Sequence, residues 1–252
     1  MSARTIALGT ALLPPLLLVG AWQVASSAGL FPPQILVSPS EVAGTIAELM
    51  RNGELGNHLG DSLFRLFWGF GIGASAGLAF GTALALSRLF EALFLPLFQA
   101  MRQVPILAFI PMLVLLLGIE EGFKITVVAV AAFFPVALAA FDGVRGIPKG
   151  WLEVARVYRT PLPALLLRIL IPATVPPVLT GLRLGLTRAW LVLVAAELLA
   201  ADNGIGQMME MGRQLFRIDV VLAGVIISGL IGFSLDRGVK LVERRYTRWR
   251  VA

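Results

Sequence analysis

No cysteine occurs in the 252 residues, and histidine occurs once, at His58. Disulfides, thiolate metal sites, iron–sulfur clusters and a nucleophilic cysteine are thereby excluded, and one imidazole cannot build a histidine-rich metal centre. We expect this chain to bind no metal and no cofactor. Charge is scarce too, with Asp, Glu, Lys and Arg together at 14%. The lysines are Lys124, Lys149 and Lys240, and they follow Phe123, Pro148 and Val239. A phosphate-binding loop needs its lysine behind a glycine-rich turn. The chain therefore carries no ATPase motif, and we do not expect an enzyme.

What is abundant is apolar. Hydrophobic residues make up 58% and mean hydropathy is +0.86, well above a soluble domain. Blocks long enough to cross a bilayer, about 17–25 residues, run approximately 6–24, 63–86, 95–117, 122–141, 177–200 and 219–235. The expected fold is an all-α integral membrane protein of about six transmembrane helices. In domain terms, 1–24 reads as a first span, 25–61 as an extracytoplasmic segment with a surface helix near Ser40 to Met50, and 62–252 as the transmembrane domain. The first block could instead be a cleaved signal peptide, with Ser26, Ser27 and Ala28 behind it. Its single early charge, Arg4, and the Pro14–Pro15 pair favour a retained span.

Orientation follows from the basic residues in short loops. One side holds Arg4, Arg88, Arg145, Lys149, Arg156, Arg159, Arg168, Arg237, Lys240, Arg244, Arg245, Arg248 and Arg250. The other holds Arg51, Arg65, Lys124, Arg213 and Arg217, diluted by acidic residues. Both termini and a loop at 142–172 are thus expected in the cytoplasm of a cell whose plasma membrane holds the chain. A net charge of +6 with a pI near 10.7 raises nucleic acid as a partner. The basic residues cluster at span ends, where anionic headgroups are their partners, and we expect no nucleic-acid site.

Glycines Gly69, Gly73, Gly77 and Gly81 recur every fourth residue in the second block, and Gly181/Gly185 and Gly224/Ser228/Gly232 repeat the pattern. Small residues at this spacing let helix backbones approach closely in lipid. The stripe contains Gly73-Ala74-Ser75-Ala76-Gly77, a literal G-x-S-x-G, which raises an intramembrane serine protease as a rival reading. The base would have to be His58, seventeen residues upstream. On one continuous helix that is about 25 Å from Ser75, out of hydrogen-bond reach.

The loop 142–172 is basic and breaks twice at proline. After Pro148, residues Trp151, Val154, Ala155 and Tyr158 fall on one helical face, with Lys149, Glu153 and Arg156 on the other. Pro161 ends this helix, Thr160 can cap a second short one, and apolar sequence resumes after Pro172. A cytoplasmic helix–turn–helix results. Glu153-Val154-Ala155, three residues, Arg159, and then Ile169-Leu170-Ile171-Pro172 resemble the EAA loop of inner-membrane permeases in binding-protein-dependent ABC importers. Val154 and Arg159 depart from that pattern, which usually has Ala and Gly there. Ser38-Pro39-Ser40, Ser62-Leu63-Phe64-Arg65, Arg102-Gln103-Val104-Pro105, Phe133-Phe134-Pro135, Gly181-Leu182-Arg183, Ala195-Ala196-Glu197 and Gly204-Ile205-Gly206 extend the likeness to the sulfonate, taurine and nitrate branch.

The resemblance implies a permease subunit, a homodimer in membrane lipid, served by a cytoplasmic ABC ATPase dimer and an extracytoplasmic solute-binding protein. Its coupling residues here are Trp151, Glu153, Val154, Ala155, Tyr158 and Arg159. Charges inside spans are costly and mark pathways; Arg102, Arg183, Arg188 and Glu197 qualify, with Arg102, Arg183 and Glu197 expected in the translocation pathway. A proton-driven transporter would bury several carboxylates, so a separate ATPase is the expected energy source. The substrate is open between a small anion, such as an aliphatic sulfonate, taurine or nitrate, and a nitrogen heterocycle such as a thiamin precursor.

Overall fold

The computed structural model describes residues 3–30, 32 and 36–246, and among them every regular element is a helix. In chain order these are α1 (Ala3–Ser27), α2 (Pro39–Arg51), α3 (Glu54–Leu86), α4 (Arg88–Met101), α5 (Ile110–Leu117), α6 (Glu121–Arg145), α7 (Lys149–Val157), α8 (Leu162–Leu165), α9 (Ile171–Leu199), α10 (Ile205–Gln214) and α11 (Ile218–Tyr246). Expected residues 248 and 250 lie outside the described residues.

Six spans were expected. The described residues carry four uninterrupted helices long and apolar enough to cross a membrane: α3, α6, the run Pro163–Leu199 that contains α9, and α11. A bent pair passes the same test and makes five if it counts as one broken span: α4 and the stretch Ile106–Leu117, which meet at 84°. Helix α1 covers the expected first span but is not among these five. The block at 95–117 is therefore not one straight helix. Pro105 has no N–H to donate and disfavours helix in the residue before it. Accordingly α4 ends at a cap on Arg102, and the chain restarts from Pro105 as a tight turn over Ile106–Phe109 before α5.

The centre of the molecule is α3, α6 and α9, and glycine sets its spacing. A Cβ on Gly73 would fall on the Ala129 carbonyl and one on Gly81 on the Ala137 carbonyl; at Gly77 it would lie 2.7 Å from the Phe133 carbonyl oxygen. The ladder thus packs on α6 within the same chain. Gly181 and Gly185 do the same from α9, against Ala139 and Val136 of α6. Phe80, Phe90, Phe98, Phe133 and Phe134 then seat α4 against α3 and α6 through edge and tilted ring contacts.

At the end of the bundle where α3 and α6 begin, α2 and α10 form a small apolar cap. Val42 and Leu49 of α2, Ile205, Met208 and Met209 of α10, and Val220 and Ala223 of α11 share one buried cluster. Ser38 caps α2 as its sequence suggests, accepting from the Glu41 N–H. Thr45 Oγ1 donates to Asp219 Oδ2 at 2.8 Å, fixing α2 to α11. Helix α3 begins at Glu54, within the segment expected outside the membrane at 25–61.

Candidate functional site

Three places bring together residues of functional interest, and the first is a buried joint. One face of α3 carries Ser62 and Arg65, neither with exposed surface. Arg65 and Lys124, which the charge count takes with the loops, are both inside helices and buried. Arg65 donates to Glu121 through Nε at 2.7 Å and Nη2 at 2.6 Å, a two-pronged pair with the first turn of α6. Its Nη1 donates to Glu197 Oε1 at 2.7 Å and to the Asn203 carbonyl at 2.9 Å, and Nη2 also meets the Asn203 side chain. Lys124 Nζ lies 3.3 Å from Glu121.

Glu197, at the end of α9, uses both oxygens fully. Ser62 Oγ donates to it at 2.9 Å and Gly206 N–H at 3.0 Å, while Ser62 in turn accepts from Ile205 N–H at 3.0 Å. Gly204 N–H donates to His58 Nδ1 at 3.1 Å, so the single histidine anchors the start of α10. Glycine is required at two points. Gly204 has φ +106 and a Cβ there would strike the Glu197 carboxylate; a Cβ on Gly206 would strike the Val194 carbonyl. Glu197 was expected in the pathway. Its side chain has no exposed surface, and its hydrogen bonds tie α9 to α3 and α10.

Ser75 and His58 both lie on α3, seventeen residues apart. Ser75 Oγ donates to its own helix, to Gly71 O at 2.7 Å. No serine–histidine dyad forms, and the protease reading falls.

The second place is a cavity of about 520 Å³ behind the bend of the broken helix. Arg102 lines it from the bend and Arg188 from the middle of α9, together with Gln103, Val104, Phe109, Phe134 and Leu191. Both arginines are exposed in the single chain. Arg183, by contrast, lies one helical stretch away with its charge met: Nη1 donates to Glu243 at 3.1 Å, and Nε is 3.6 Å from Asp236. It does not line this cavity.

The third place is the loop 142–172. Pro148 caps α7, and at the far end Arg159 N–H donates to Arg156 O at 3.0 Å and Thr160 N–H to Ala155 O at 2.9 Å. These two bonds make a Schellman cap, whose penultimate position takes a left-handed residue. Arg159 occupies it with φ +47. That is where the EAA pattern has glycine, so the turn keeps its geometry with a residue less suited to it. Trp151, Val154 and Tyr158 are 47%, 57% and 79% exposed, and Glu153 is exposed as well. Ala155 is 6% exposed, buried by its own chain, and so does not belong to the outward face on which the sequence put it. The second short helix, α8, does not stop before Pro172. It continues through a wide π-turn over Leu166–Leu170 into α9, the register change falling just ahead of a residue with no N–H to give.

Residues 69–248 match the family described as the binding-protein-dependent transport system inner membrane component. The chain belongs to this family of transport permeases. It is 38% identical over 239 residues to the Bacillus subtilis (strain 168) permease SsuC, named for aliphatic sulfonates transport, covering 95% of this chain and 87% of that one. It is 35% identical over 195 residues to TauC, the taurine transport system permease protein of Escherichia coli K12, covering 77% and 71%. Among solved structures, an inward-facing MetNI methionine ABC transporter chain superposes with a TM-score of 0.56 at 21% identity, over 72% of this chain and 93% of that one. That likeness is one of fold. The family is a transport component of the inner membrane, in keeping with the apolar helices and the missing ATPase motif.

Proposed function

We propose that two copies of this chain form the pathway of an ATP-driven importer for a small anion, and that loop 142–172 is where a cytoplasmic ABC ATPase docks. The observation that carries the reading is the outward face of α7, where Trp151, Val154 and Tyr158 stand exposed beside Lys149, Glu153 and Arg156. An apolar face beyond the spanning helices needs a partner to cover it. Glu153 offers that partner a charged acceptor. On this reading the loop and both termini are cytoplasmic and the segment ending in α2 lies outside, toward a solute-binding protein, a sidedness that the clustering of basic residues supports. Closure of the ATPase dimer then moves α7, and through the continuous run from α8 into α9 the movement reaches the arginine-lined cavity. Relatives named for aliphatic sulfonates and taurine favour an anion over a heterocycle.

Tyr158→Cys gives this cysteine-free chain one thiol on the exposed face. It should crosslink to a cysteine in the ATPase surface groove and not to the binding protein, and Glu153→Lys should uncouple hydrolysis from uptake. An unaltered coupling ratio together with no crosslink would overturn the docking assignment.

A further inference from the structure

Arg102 and Arg188 differ from the cations held within the bundle. Arg65 and Lys124 meet Glu121 or Glu197, and Arg183 meets Glu243. Among the described residues neither Arg102 nor Arg188 has a carboxylate partner. Both are deep. Arg188 lies seventeen residues after Ile171 and eleven before Leu199, so even the nearer helix end is about 16 Å away along the axis, too far to reach by snorkelling. Arg102 sits at the bend of the broken pair. A guanidinium keeps its proton, and an unneutralised one at such depth marks a ligand or ion path.

The wall around them is of another kind. Val104, Ile106, Phe109, Met112, Phe134 and Leu191 line the same cavity, whose polar members are the two arginines and Gln103. Its volume, about 520 Å³, suits a small molecule. No aspartate or glutamate lines it. An inorganic oxyanion would satisfy the guanidiniums and leave the apolar wall unused; an amino-sulfonate would bring an ammonium with no acceptor carboxylate. We propose that this cavity binds an organic oxyanion with a short apolar body and no amine, an unsubstituted alkanesulfonate being the type, its headgroup held by Arg102 and Arg188 and its chain laid on Val104, Phe109 and Leu191. This rests on the anion-import reading above. Planar guanidiniums suit the oxygens of such a headgroup because each can give two parallel hydrogen bonds.

The test uses the permease assembled with its ATPase in nanodiscs and sulfur-35-labelled 1-butanesulfonate as the probe. Saturable binding is expected, with nitrate and taurine at least tenfold weaker as competitors. Arg102→Gln and Arg188→Gln should each weaken binding at least tenfold, while Arg102→Lys and Arg188→Lys, which keep the charge and lose the paired hydrogen bonds, fall between these and the unmodified protein. Should the glutamine variants fail to assemble, the competition on the unmodified protein still decides: equal displacement by nitrate or taurine overturns the proposal. Nanodiscs of phosphatidylcholine alone and with phosphatidylglycerol should bind the probe equally. Loss of binding in the anionic discs would mean that the cavity takes lipid headgroups, and the proposal fails. ATP-driven uptake in proteoliposomes with the binding protein separates the two levels. Uptake that persists in the glutamine variants overturns the site and leaves the import reading standing; no uptake of butanesulfonate, taurine or nitrate by the unmodified protein overturns the import reading and this role with it.

Discussion

Arg65→Met tests whether the buried joint is structural. The substitution keeps most of the side-chain volume and removes five hydrogen-bond contacts, two to Glu121, one to Glu197 and two to Asn203. Glu121 can turn to solvent, since its side chain is 44% exposed; Glu197 cannot, with none of its side chain exposed. It would keep Ser62 and the Gly206 N–H but lose its counter-charge. Stranding one member of a buried ion pair costs about 3–5 kcal/mol, and at roughly 2–4 °C per kcal/mol for a chain of this size the midpoint should fall by about 6–20 °C. The assay is thermal unfolding of the purified protein in detergent, followed by intrinsic tryptophan fluorescence and by retention of the monodisperse peak. The double variant Arg65→Met/Glu197→Gln removes the stranded charge and should recover part of the loss. A drop under 2 °C for Arg65→Met, or a double variant worse than the sum of the two single ones, would refute the reasoning.

Gly77→Leu should abolish the monodisperse peak, because the side chain would start 2.7 Å from the Phe133 carbonyl oxygen, whereas Gly71→Leu on the open face of the same helix meets nothing within 4 Å and should express normally. Ser75→Ala loses only a bond to its own helix and should leave uptake near the unmodified level; abolished uptake in a folded protein would reopen a catalytic role. Arg159→Gly relieves a left-handed arginine at the cap of α7, with a net gain of about 0.5–1 kcal/mol after the added freedom of the unfolded chain. Slower amide hydrogen exchange across 149–160 is the expected readout, and faster exchange would count against it.

Long apolar runs made α3, α6, α9 and α11 legible, because hydropathy sums over a window and those helices are continuous. The same summing hid the break between α4 and α5: the residues on both sides of Arg102 and Pro105 are apolar, so the window saw one span where the chain turns through 84°. Arg65 was misplaced for a related reason. A span drawn at the hydrocarbon thickness starts near residue 63 and leaves Arg65 at its edge, among the loop charges, yet the helix begins at Glu54 and Arg65, with no exposed surface, faces Glu121 of α6 and Glu197 of α9. The charge is tolerated because Glu197 lies 132 residues further on, and no local signal reports such a partner.

The motifs nevertheless held the information in scattered form. Ser62 to Arg65, Ala195 to Glu197 and Gly204 to Gly206 were read as separate family marks, and folding brings all three into one joint, where each glycine is explained by the carboxylate or carbonyl that a Cβ would strike. Glu197 looked like a pathway residue because a carboxylate near a span end is rare. Rarity alone cannot separate a charge that meets a ligand from one that meets a partner; the partner has to be counted. By that count Glu197 and Arg183 are met by opposite charges within the fold, while among the described residues Arg102 and Arg188 have no carboxylate partner. A charge near the middle of a span calls for a ligand only where the fold leaves it unneutralised, a condition that the two arginines at the bend meet among the described residues and the joint does not.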